Sequence, residues 1–366
     1  MPDPLAIRPE IRDLKAYAHA VDLEAVKQRY GLERVIKLAS NENPLGPPPL
    51  AQEAVRAEAR DMSRYPDPLN TGIRQAVSEH TGVAPERIAV GNGSDDLIDL
   101  LVRVKARPGV DQVLTLDPCF DLYVIQSRIA GVQCCQVPLS RDLRFDFTAL
   151  VDAADENTVL VYLTSPMNPT GQAALPQELA EVARALPQAV VIIDEAYIDF
   201  AHPRQDFDLI PLLDELPNLG VLRTFSKAWG LAGVRLGYAI LPEVLADAVR
   251  RTQIPFNVNR VAASAGVAAL QDLGHYQATL ELTISQRGHV ARELERLGCR
   301  PMESQTNFIL FQPPRPAREV FDGLLERGVL IRAMDSAGLP DRLRVSIGLE
   351  EENRLFLDAL SDVLSS

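Results

Sequence analysis

The chain has 366 residues, of which 46% are hydrophobic and 24% are charged. This composition is typical of a globular protein long enough for two lobes, and it excludes a disordered, collagenous or disulfide-rich chain. The formal net charge of −13 argues against nucleic-acid binding through bulk electrostatics. An anionic ligand must therefore be held by a few local cations.

The sequence favours a location in the cytoplasm. The N-terminus lacks the basic region and apolar run of a secretory signal, and no apolar stretch approaches the roughly 20 residues that span a bilayer. The cysteines, which are Cys119, Cys134, Cys135 and Cys299, show neither paired CxxC spacing nor a neighbouring histidine cluster. We therefore expect reduced thiols and no metal site.

The predicted elements of the first two thirds of the chain form an alternating pattern. The first forty residues are polar and partly helical, and the proline-rich segment SNENPLGPPP at 40–49 predicts an extended connection between lobes. Apolar, β-branched runs then alternate with amphipathic stretches up to about residue 255; these runs are VLTL at 113–116, VLVYL at 159–163, VVIID at 190–194 and VLRTF at 221–225. This alternation predicts a largely parallel sheet covered by helices on both faces.

The pattern changes beyond residue 260. A long alanine-rich and charged stretch predicts helix as far as Arg296, and the shorter strand candidates NFILF and LRVSIG follow, with helices between and after them. A second, α+β lobe fits this change. The predicted division is an N-terminal segment at 1–44 that joins the smaller domain, a large domain at 45–255 and a small C-terminal domain at 256–366.

Polar residues follow several of the predicted strands. The run at 159–163 leads into TSPMNPTG, the run at 190–194 ends in Asp194, and Ser226 and Lys227 follow the next run. Such residues point into the crevice at the carboxyl edge of a parallel sheet, where ligands bind. The earlier motif GNGSDD does not match the dinucleotide fingerprint GxGxxG. Taken alone, it indicates a tight turn in which Ser94 or Asp95 caps the following helix.

Three charged residues of this region lie in apolar surroundings. Asp194 follows four apolar residues, so its carboxylate needs a cationic or hydrogen-bonding partner, which a helix cap or a salt bridge would also provide. Lys227 precedes the glycine-punctuated AWGLAG, and such a lysine is either ion-paired or an amine nucleophile. Arg235 lies in GVRLGY, with apolar residues on both sides. Together the three suit an anionic cofactor that has a cationic nitrogen and is bound through an aldehyde.

Several separated motifs then resemble one family. The strings SNENPLGPP, GNGSDD, NPTG, DEAYIDF, RTFSKAWGLAGVRLGY and LRVSIG resemble the aminotransferases of the aspartate aminotransferase fold that use pyridoxal 5′-phosphate. In the residues of these motifs and in their order along the chain, the resemblance is strongest to the histidinol-phosphate aminotransferases. It extends from about residue 17 to about residue 348. This resemblance implies an α/β protein of fold type I, in which a large domain has a mostly parallel seven-stranded sheet flanked by helices and a smaller domain is α+β.

The resemblance also implies an activity. It is the transfer of an amino group between histidinol phosphate and 2-oxoglutarate, which yields imidazole-acetol phosphate and glutamate, as a ping-pong step of histidine biosynthesis. The implied partners are a small-molecule amino donor and a 2-oxo acid acceptor, without nucleic acid or membrane. The implied assembly is a homodimer with shared active sites.

For the cofactor, the resemblance implies a set of contact residues. Lys227 bonds to the cofactor's aldehyde and later moves a proton between substrate and cofactor, while Asp194 keeps the pyridine nitrogen protonated. Phe120 stacks on the ring. The other implied contacts are those of Asn168 and Tyr197 with the phenolic oxygen, and those of Ser94, Asp95, Ser226, Arg235 and the neighbouring subunit's Tyr65 with the phosphate.

For the substrate, the resemblance implies a cationic pocket that accepts a phosphate in one half-reaction and a carboxylate in the other. Arg344 in LRVSIG corresponds to the arginine that binds this anion. Arg332 in LIRAM and Tyr17 in KAYAHA correspond to extra phosphate contacts, and Asn43 in SNENP to a further substrate contact. The N-terminal segment reads AYAHA where the family usually reads closer to PYxPG.

Other functions stay open at this point. Two share the resemblance, namely an aromatic amino-acid aminotransferase and a decarboxylase of phosphothreonine. A non-catalytic α/β protein that binds a dinucleotide would need a glycine fingerprint that the sequence lacks. A ligand-responsive regulator with an inactive aminotransferase domain would not need Lys227, Asp194 and Arg235 together, so their joint presence favours an active enzyme.

Overall fold

The computed structural model describes residues 5–14 and 21–366. The α-helices are α1 (Pro9–Arg12), α2 (Leu23–Tyr30), α3 (Pro49–Glu58), α4 (Thr71–Thr81), α5 (Ser94–Lys105), α6 (Leu122–Ile129), α7 (Phe147–Asp152), α8 (Pro176–Ala185), α9 (Glu243–Thr252), α10 (Arg260–Gln271), α11 (Leu273–Arg296), α12 (Ala317–Glu326) and α13 (Glu350–Ser365). The β-strands are β1 (Ile36–Lys37), β2 (Ile88–Gly91), β3 (Gln112–Asp117), β4 (Gln133–Pro138), β5 (Thr158–Thr164), β6 (Val190–Asp194), β7 (Leu219–Thr224), β8 (Gly237–Ile240), β9 (Arg300–Pro301), β10 (Phe308–Gln312), β11 (Val329–Leu330), β12 (Arg332–Ala333) and β13 (Leu343–Ser346).

A large sheet dominates the fold. Within the described residues it has seven strands, in the order β2-β8-β7-β6-β5-β3-β4. Strand β8 runs antiparallel to its two neighbours, and the other pairs are parallel. The four apolar runs noted in the sequence are β3, β5, β6 and β7, which lie side by side. The predicted, largely parallel sheet is confirmed.

Helices cover both faces of this sheet, which explains why its strands are apolar along their whole length. In β6, Ile192 packs in the apolar cluster that includes α5, α6 and α9. Its neighbours Val191 and Ile193 point the other way, into the cluster that includes α4, α8 and α10. Side chains that extend beyond the carboxyl end of β6 therefore emerge at the open edge between the two layers.

A smaller antiparallel sheet packs on the C-terminal helices. Its strand order is β12-β13-β10-β9, and its core includes residues of α11, α12 and α13. The short strand β1 pairs in parallel with β11, and Ile36 and Leu38 join the same core. This part of the N-terminal segment is thus attached to the smaller lobe, and residues 40–48 lead from it to α3.

The predicted helical stretch after residue 260 consists of two helices. Helix α10 ends at Gln271, and Asp272 begins α11 by accepting a hydrogen bond from the backbone N–H of His275 (3.3 Å). Within these two helices, the buried apolar residues up to Tyr276 belong to the core of the large sheet, whereas Val290 and Leu294 of α11 belong to the smaller lobe. The division at residue 255 stays a prediction, and this packing favours a boundary within α11.

The described residues also bear on membrane and metal binding. Among them, no helix has the length and apolar character needed to cross a bilayer. In the same part of the chain, no three histidine, cysteine, aspartate or glutamate side chains come together as a metal site would require. The four cysteines carry free thiols.

Candidate active site

A cleft lies between the carboxyl ends of the large-sheet strands and the smaller lobe. It consists of an inner chamber of about 250 Å³ and an outer chamber of about 590 Å³. Residues that line both chambers, and so join them, are Ser40, Phe120, Asn168, Tyr197 and Lys227.

Most of the predicted site residues meet in this cleft. Beyond the residues common to both chambers, the inner chamber is lined by Ser94, Asp95, Asp194, Ser226 and Arg235. Arg332 and Arg344 line the outer chamber. Tyr17 lies outside the described residues. The chain segments that meet here are far apart in sequence, so the cleft is a product of the whole fold.

Asp194 ends β6 and is almost completely buried. Its Oδ1 accepts a hydrogen bond from the backbone N–H of Ala196 (3.0 Å), and its Oδ2 accepts one from the hydroxyl of Tyr123 (2.7 Å). Burial raises the pKa of Asp194 to about 6, although these two hydrogen bonds act in the opposite direction. A carboxylate held in this way at the floor of the inner chamber suits a cationic nitrogen.

Lys227 lies just beyond β7, where the two chambers meet. Its Nζ donates to the carbonyl oxygen of Ser40 (3.4 Å) and lies 5.6 Å from the centre of the Tyr197 ring. Among the described residues it has no carboxylate partner within ion-pair distance. Of the two alternatives left by the sequence, the geometry therefore favours an amine available for reaction.

The hydroxyl of Tyr197 is fixed from the N-terminal segment. It accepts a hydrogen bond from Nδ2 of Asn41 (3.0 Å), and Oδ1 of Asn41 accepts one from the hydroxyl of Ser346 (2.9 Å). The backbone N–H of Asn41 also donates to Ser346 (2.8 Å). Because Ser346 lies in β13, these hydrogen bonds connect the smaller lobe with the floor of the cleft.

The start of α5 forms a cradle for an anion. The residue before the helix is Gly93, so no side chain caps the first N–H groups, and the prediction that Ser94 or Asp95 acts as the cap is wrong. Arg235 lies over this helix end, donating to Asp95 (2.9 Å) and to Ser226 (3.4 Å). Backbone N–H groups at a helix N-terminus, a guanidinium and a hydroxyl together fit a phosphate monoester.

Two glycines allow this cradle to be compact. Gly93 has a φ of +85°, and a Cβ on it would lie 2.6 Å from Nη2 of Arg235. A Cβ on Gly237, in β8, would collide with the backbone nitrogen of Ser94. The glycines of the GNGSDD and GVRLGY motifs therefore permit the close approach of helix, strand and guanidinium around the site of the anion.

Two arginines lie on adjacent strands of the smaller sheet and line the outer chamber. Arg344 in β13 and Arg332 in β12 are register partners. Arg344 donates to Oδ1 of Asn168 and to the carbonyl oxygen of Ala39 (3.3 Å), and its guanidinium carbon lies 4.9 Å from the centre of the Phe308 ring. An anion in the outer chamber therefore meets two guanidinium groups, one of which is held in place from the large domain.

Two predicted residues lie away from the cleft lining. The amide of Asn43 donates to the carbonyl oxygen of Ala228 (3.0 Å) and to Thr279 (3.2 Å), so it anchors the N-terminal segment to the large sheet and α11. Tyr65 is 79% exposed and stacks on Phe256, with ring centres 4.4 Å apart. Within one chain, the structure does not bring either residue to the chambers.

Several residues in and behind the cleft are not predicted from the sequence. Asn41 lies in the quoted SNENP motif, but only the fold shows that it reaches Tyr197. Tyr123 contacts Asp194 across 71 positions of the sequence. Arg223 and Glu195 form a buried ion pair (2.7 Å) that joins the ends of β6 and β7 behind the cleft. The pattern that could have indicated this pair is a charged residue set among apolar residues in both VLRTF and IIDEAY.

Comparisons with known proteins agree with this geometry. Residues 33–360 match the family model described as aminotransferase class I and II. The histidinol-phosphate aminotransferase of Nitratidesulfovibrio vulgaris (strain Hildenborough) is 45% identical over 365 residues, which cover 100% of this chain and 98% of the relative.

Two solved structures share the fold. The histidinol-phosphate aminotransferase of Sinorhizobium meliloti, in complex with pyridoxal-5′-phosphate, superposes with a TM-score of 0.90 at 31% identity, covering 100% of this chain and 99% of that one. An aspartate aminotransferase of Thermus thermophilus superposes with a TM-score of 0.84 at 22% identity, covering 98% and 99%. The aspartate aminotransferase fold expected from the motifs is confirmed. The chain belongs to the class I and II aminotransferases.

Proposed function

We propose that this protein is a histidinol-phosphate aminotransferase that uses pyridoxal 5′-phosphate. It transfers the amino group of histidinol phosphate to 2-oxoglutarate, which gives imidazole-acetol phosphate and glutamate. The observation that carries this proposal is the pair Arg332 and Arg344, which lines the same outer chamber as Lys227. The full-length identity of 45% to an enzyme of that name supports the same substrate.

The inner chamber suits the cofactor. Bound pyridoxal phosphate supplies an aldehyde that reacts with amines and a ring that accepts electrons from the substrate's Cα. The start of α5, Ser226 and Arg235 hold its phosphate. Asp194 holds a proton on the ring nitrogen, and Phe120 covers one ring face. Asn168 and Tyr197 lie at the junction of the chambers, where their polar atoms can reach the phenolic oxygen.

Lys227 is the acid–base residue of this scheme. Its Nζ would hold the cofactor through the aldehyde and would be freed once a substrate amine takes its place. The freed amine would then serve as the base at the substrate's Cα and carry that proton to the cofactor. The position of Lys227 at the junction of the two chambers supports this role.

The outer chamber binds the anion of either substrate. Arg344 contributes a planar fork that fits phosphate or carboxylate through two parallel hydrogen bonds. Arg332 adds a second positive charge, which favours the dianionic phosphate monoester over a single carboxylate. The burial of Arg344 in β13 limits competition from water.

The substrate assignment predicts a difference between amino donors. With the pyridoxal form, histidinol phosphate and glutamate should both react, and histidinol phosphate should exceed phenylalanine in kcat/KM by about 10- to 100-fold. One further charge-assisted hydrogen bond contributes about 1.5–3 kcal/mol, which accounts for this range. Half-reactions followed through the cofactor absorbance measure the ratio. Equal values for phenylalanine and histidinol phosphate would favour an aromatic amino-acid aminotransferase instead.

We propose that the active enzyme is a homodimer in which Tyr65 reaches the cofactor phosphate of the partner subunit. Exposed apolar side chains also lie close in sequence to Tyr65 and its stacking partner Phe256, among them Met62, Leu69 and Ile254. A patch of this kind is typical of a surface covered by another chain. The proposal explains why Tyr65 lies outside the cleft of its own chain.

Hybrid dimers test this arrangement. When inactive Lys227→Ala and impaired Tyr65→Ala chains exchange subunits, about a quarter of the sites should become wild type, because half of the dimers are hybrids with one intact site each. Activity of the mixture measures the recovery. The control pairs Lys227→Ala with the Lys227→Ala/Tyr65→Ala double variant, which leaves no intact site. If activity does not return although the chains have exchanged subunits, Tyr65 does not act on the partner's site. It would then act within its own chain or outside the active site.

We also propose a cytoplasmic location. The four free thiols of the described residues fit a reducing compartment.

A further inference from the structure

The buried tyrosine Tyr123 makes an unexpected contact with the active site. Its ring lies in the apolar core beneath the large sheet, and its side chain is completely buried. Its hydroxyl nevertheless lies 2.7 Å from Oδ2 of Asp194 and 2.8 Å from the hydroxyl of Thr164, at the end of β5. Because a carboxylate accepts hydrogen bonds only, the tyrosine is the donor in the first contact, and the Thr164 hydroxyl can donate to the tyrosine in the second.

Neighbouring groups fix the orientation of this tyrosine. The Tyr123 ring stacks on Tyr162, with ring centres 4.7 Å apart and planes 7° apart. The ring of Phe120, which lines both chambers, lies nearly perpendicular to it, with ring centres 5.8 Å apart. These ring contacts hold the hydroxyl at Asp194 and Thr164. Burial also raises the pKa of Tyr123 well above its ordinary value, so the phenol remains a donor.

We propose that Tyr123 is a positioning residue for Asp194, whose hydroxyl keeps the carboxylate charged and fixes its orientation toward the inner chamber. This inference rests on the proposed function, in which Asp194 pairs with the cofactor's ring nitrogen. The two oxygens of Asp194 each have a separate donor, the backbone N–H of Ala196 for Oδ1 and Tyr123 for Oδ2. With both donors in place, the carboxylate cannot rotate without losing a buried hydrogen bond.

The charge of Asp194 decides how well the cofactor works. A charged carboxylate favours a protonated ring nitrogen, and the protonated ring is the better electron acceptor. Burial disfavours the charged form of Asp194, and the hydrogen bond from Tyr123 offsets part of that penalty. Without the hydroxyl, the shared proton moves from the ring nitrogen toward Asp194. The ring then withdraws electrons less strongly from the substrate's Cα.

Phenylalanine substitutions test the proposal, because they remove a hydroxyl and keep the ring. Tyr123→Phe should lower kcat about tenfold in both half-reactions and leave KM within about twofold, since Tyr123 does not line the outer chamber. In enzyme loaded with ¹⁵N-labelled pyridoxal phosphate, the ring-nitrogen resonance should move toward the position of unprotonated pyridine. Tyr162→Phe is the matched control: Tyr162 is equally buried, stacks on the same ring and donates to the carbonyl oxygen of Ile98 (2.9 Å) instead.

The outcomes separate this inference from the proposed function. A shift of the nitrogen resonance in Tyr123→Phe but not in Tyr162→Phe supports the positioning role. Suppose that the wild-type protein binds the cofactor and converts histidinol phosphate. If the nitrogen resonance and kcat of the two variants are then equal, this inference is overturned and the proposed function is not. A wild-type protein that takes up no pyridoxal phosphate overturns both. Should Tyr123→Phe fail to fold, Thr164→Val should shift the resonance in the same direction by a smaller amount, and an unchanged resonance there overturns the inference.

Discussion

Lys227→Ala should lower kcat of both half-reactions by roughly 10⁴-fold or more. General acid–base catalysis by one positioned group contributes about 10²- to 10⁴-fold, and the variant also loses the covalent bond to the cofactor. The amine lies at the junction of the two chambers without a carboxylate partner among the described residues, so no neighbouring side chain replaces it. Single-turnover absorbance changes with histidinol phosphate and with glutamate measure the loss.

Chemical labelling gives an independent measurement of the same prediction. Borohydride reduction of the loaded enzyme followed by peptide mapping should place the pyridoxyl group on Lys227. Lys37 provides the matched control, because it also lines the outer chamber but is ion-paired with Glu42 (2.9 Å). Lys37→Ala should retain both the label and the cofactor absorbance. A label on Lys37 or Lys105, or no label at all, would contradict the mechanism.

Arg344→Ala should lower kcat/KM for both histidinol phosphate and glutamate by roughly 30-fold to several-thousand-fold. Loss of one partner of a charge-assisted, water-shielded pair contributes about 2–5 kcal/mol, and each 1.36 kcal/mol is a factor of ten. Arg344→Lys should recover only part of this loss, because lysine keeps the charge but not the planar fork. Steady-state kinetics with each amino donor measure the effect.

The control for this variant comes from the same strand region. Arg342→Ala removes a guanidinium that is ion-paired with Asp341 (3.6 Å) and does not line the outer chamber. Its kinetics should remain near wild type. If only the glutamate reaction falls in Arg344→Ala, Arg332 holds most of the phosphate. If neither reaction falls tenfold while the cofactor absorbance persists, Arg344 is structural and the substrate assignment loses its main support.

The sequence predicts those features that depend on one strand and its end. Asp194 and Lys227 could be found because charged residues at or just beyond the carboxyl end of a buried parallel strand lie near the crevice at the sheet edge, where ligands bind. The parallel sheet itself follows from strands that are apolar on both faces. Position along one strand was sufficient in each case.

The features that the sequence does not predict depend on contacts between distant segments. Whether Asn41 or Asn43 reaches the cleft is decided by the path of an extended segment, for which no periodicity exists. The Tyr123 hydroxyl is indistinguishable from any core tyrosine until α6 and β6 are placed side by side. Likewise, the break at Asp272 lies inside a stretch whose composition favours helix on both sides, so only the capping geometry reveals it.

The buried carboxylate of Asp194 also links folding to the supply of cofactor. An acid whose pKa is raised in the folded state, here to about 6, contributes stability below its unfolded pKa and loses that contribution as the pH rises through the folded value. At neutral pH the folded chain alone therefore carries a penalty on the order of 3 kcal/mol. In the proposed complex a cationic ring nitrogen would offset this penalty, and ligand at a hundredfold excess over its Kd would add about 2.7 kcal/mol by mass action. On the proposed function, we therefore expect a cell short of the cofactor to hold less folded enzyme as well as less active enzyme.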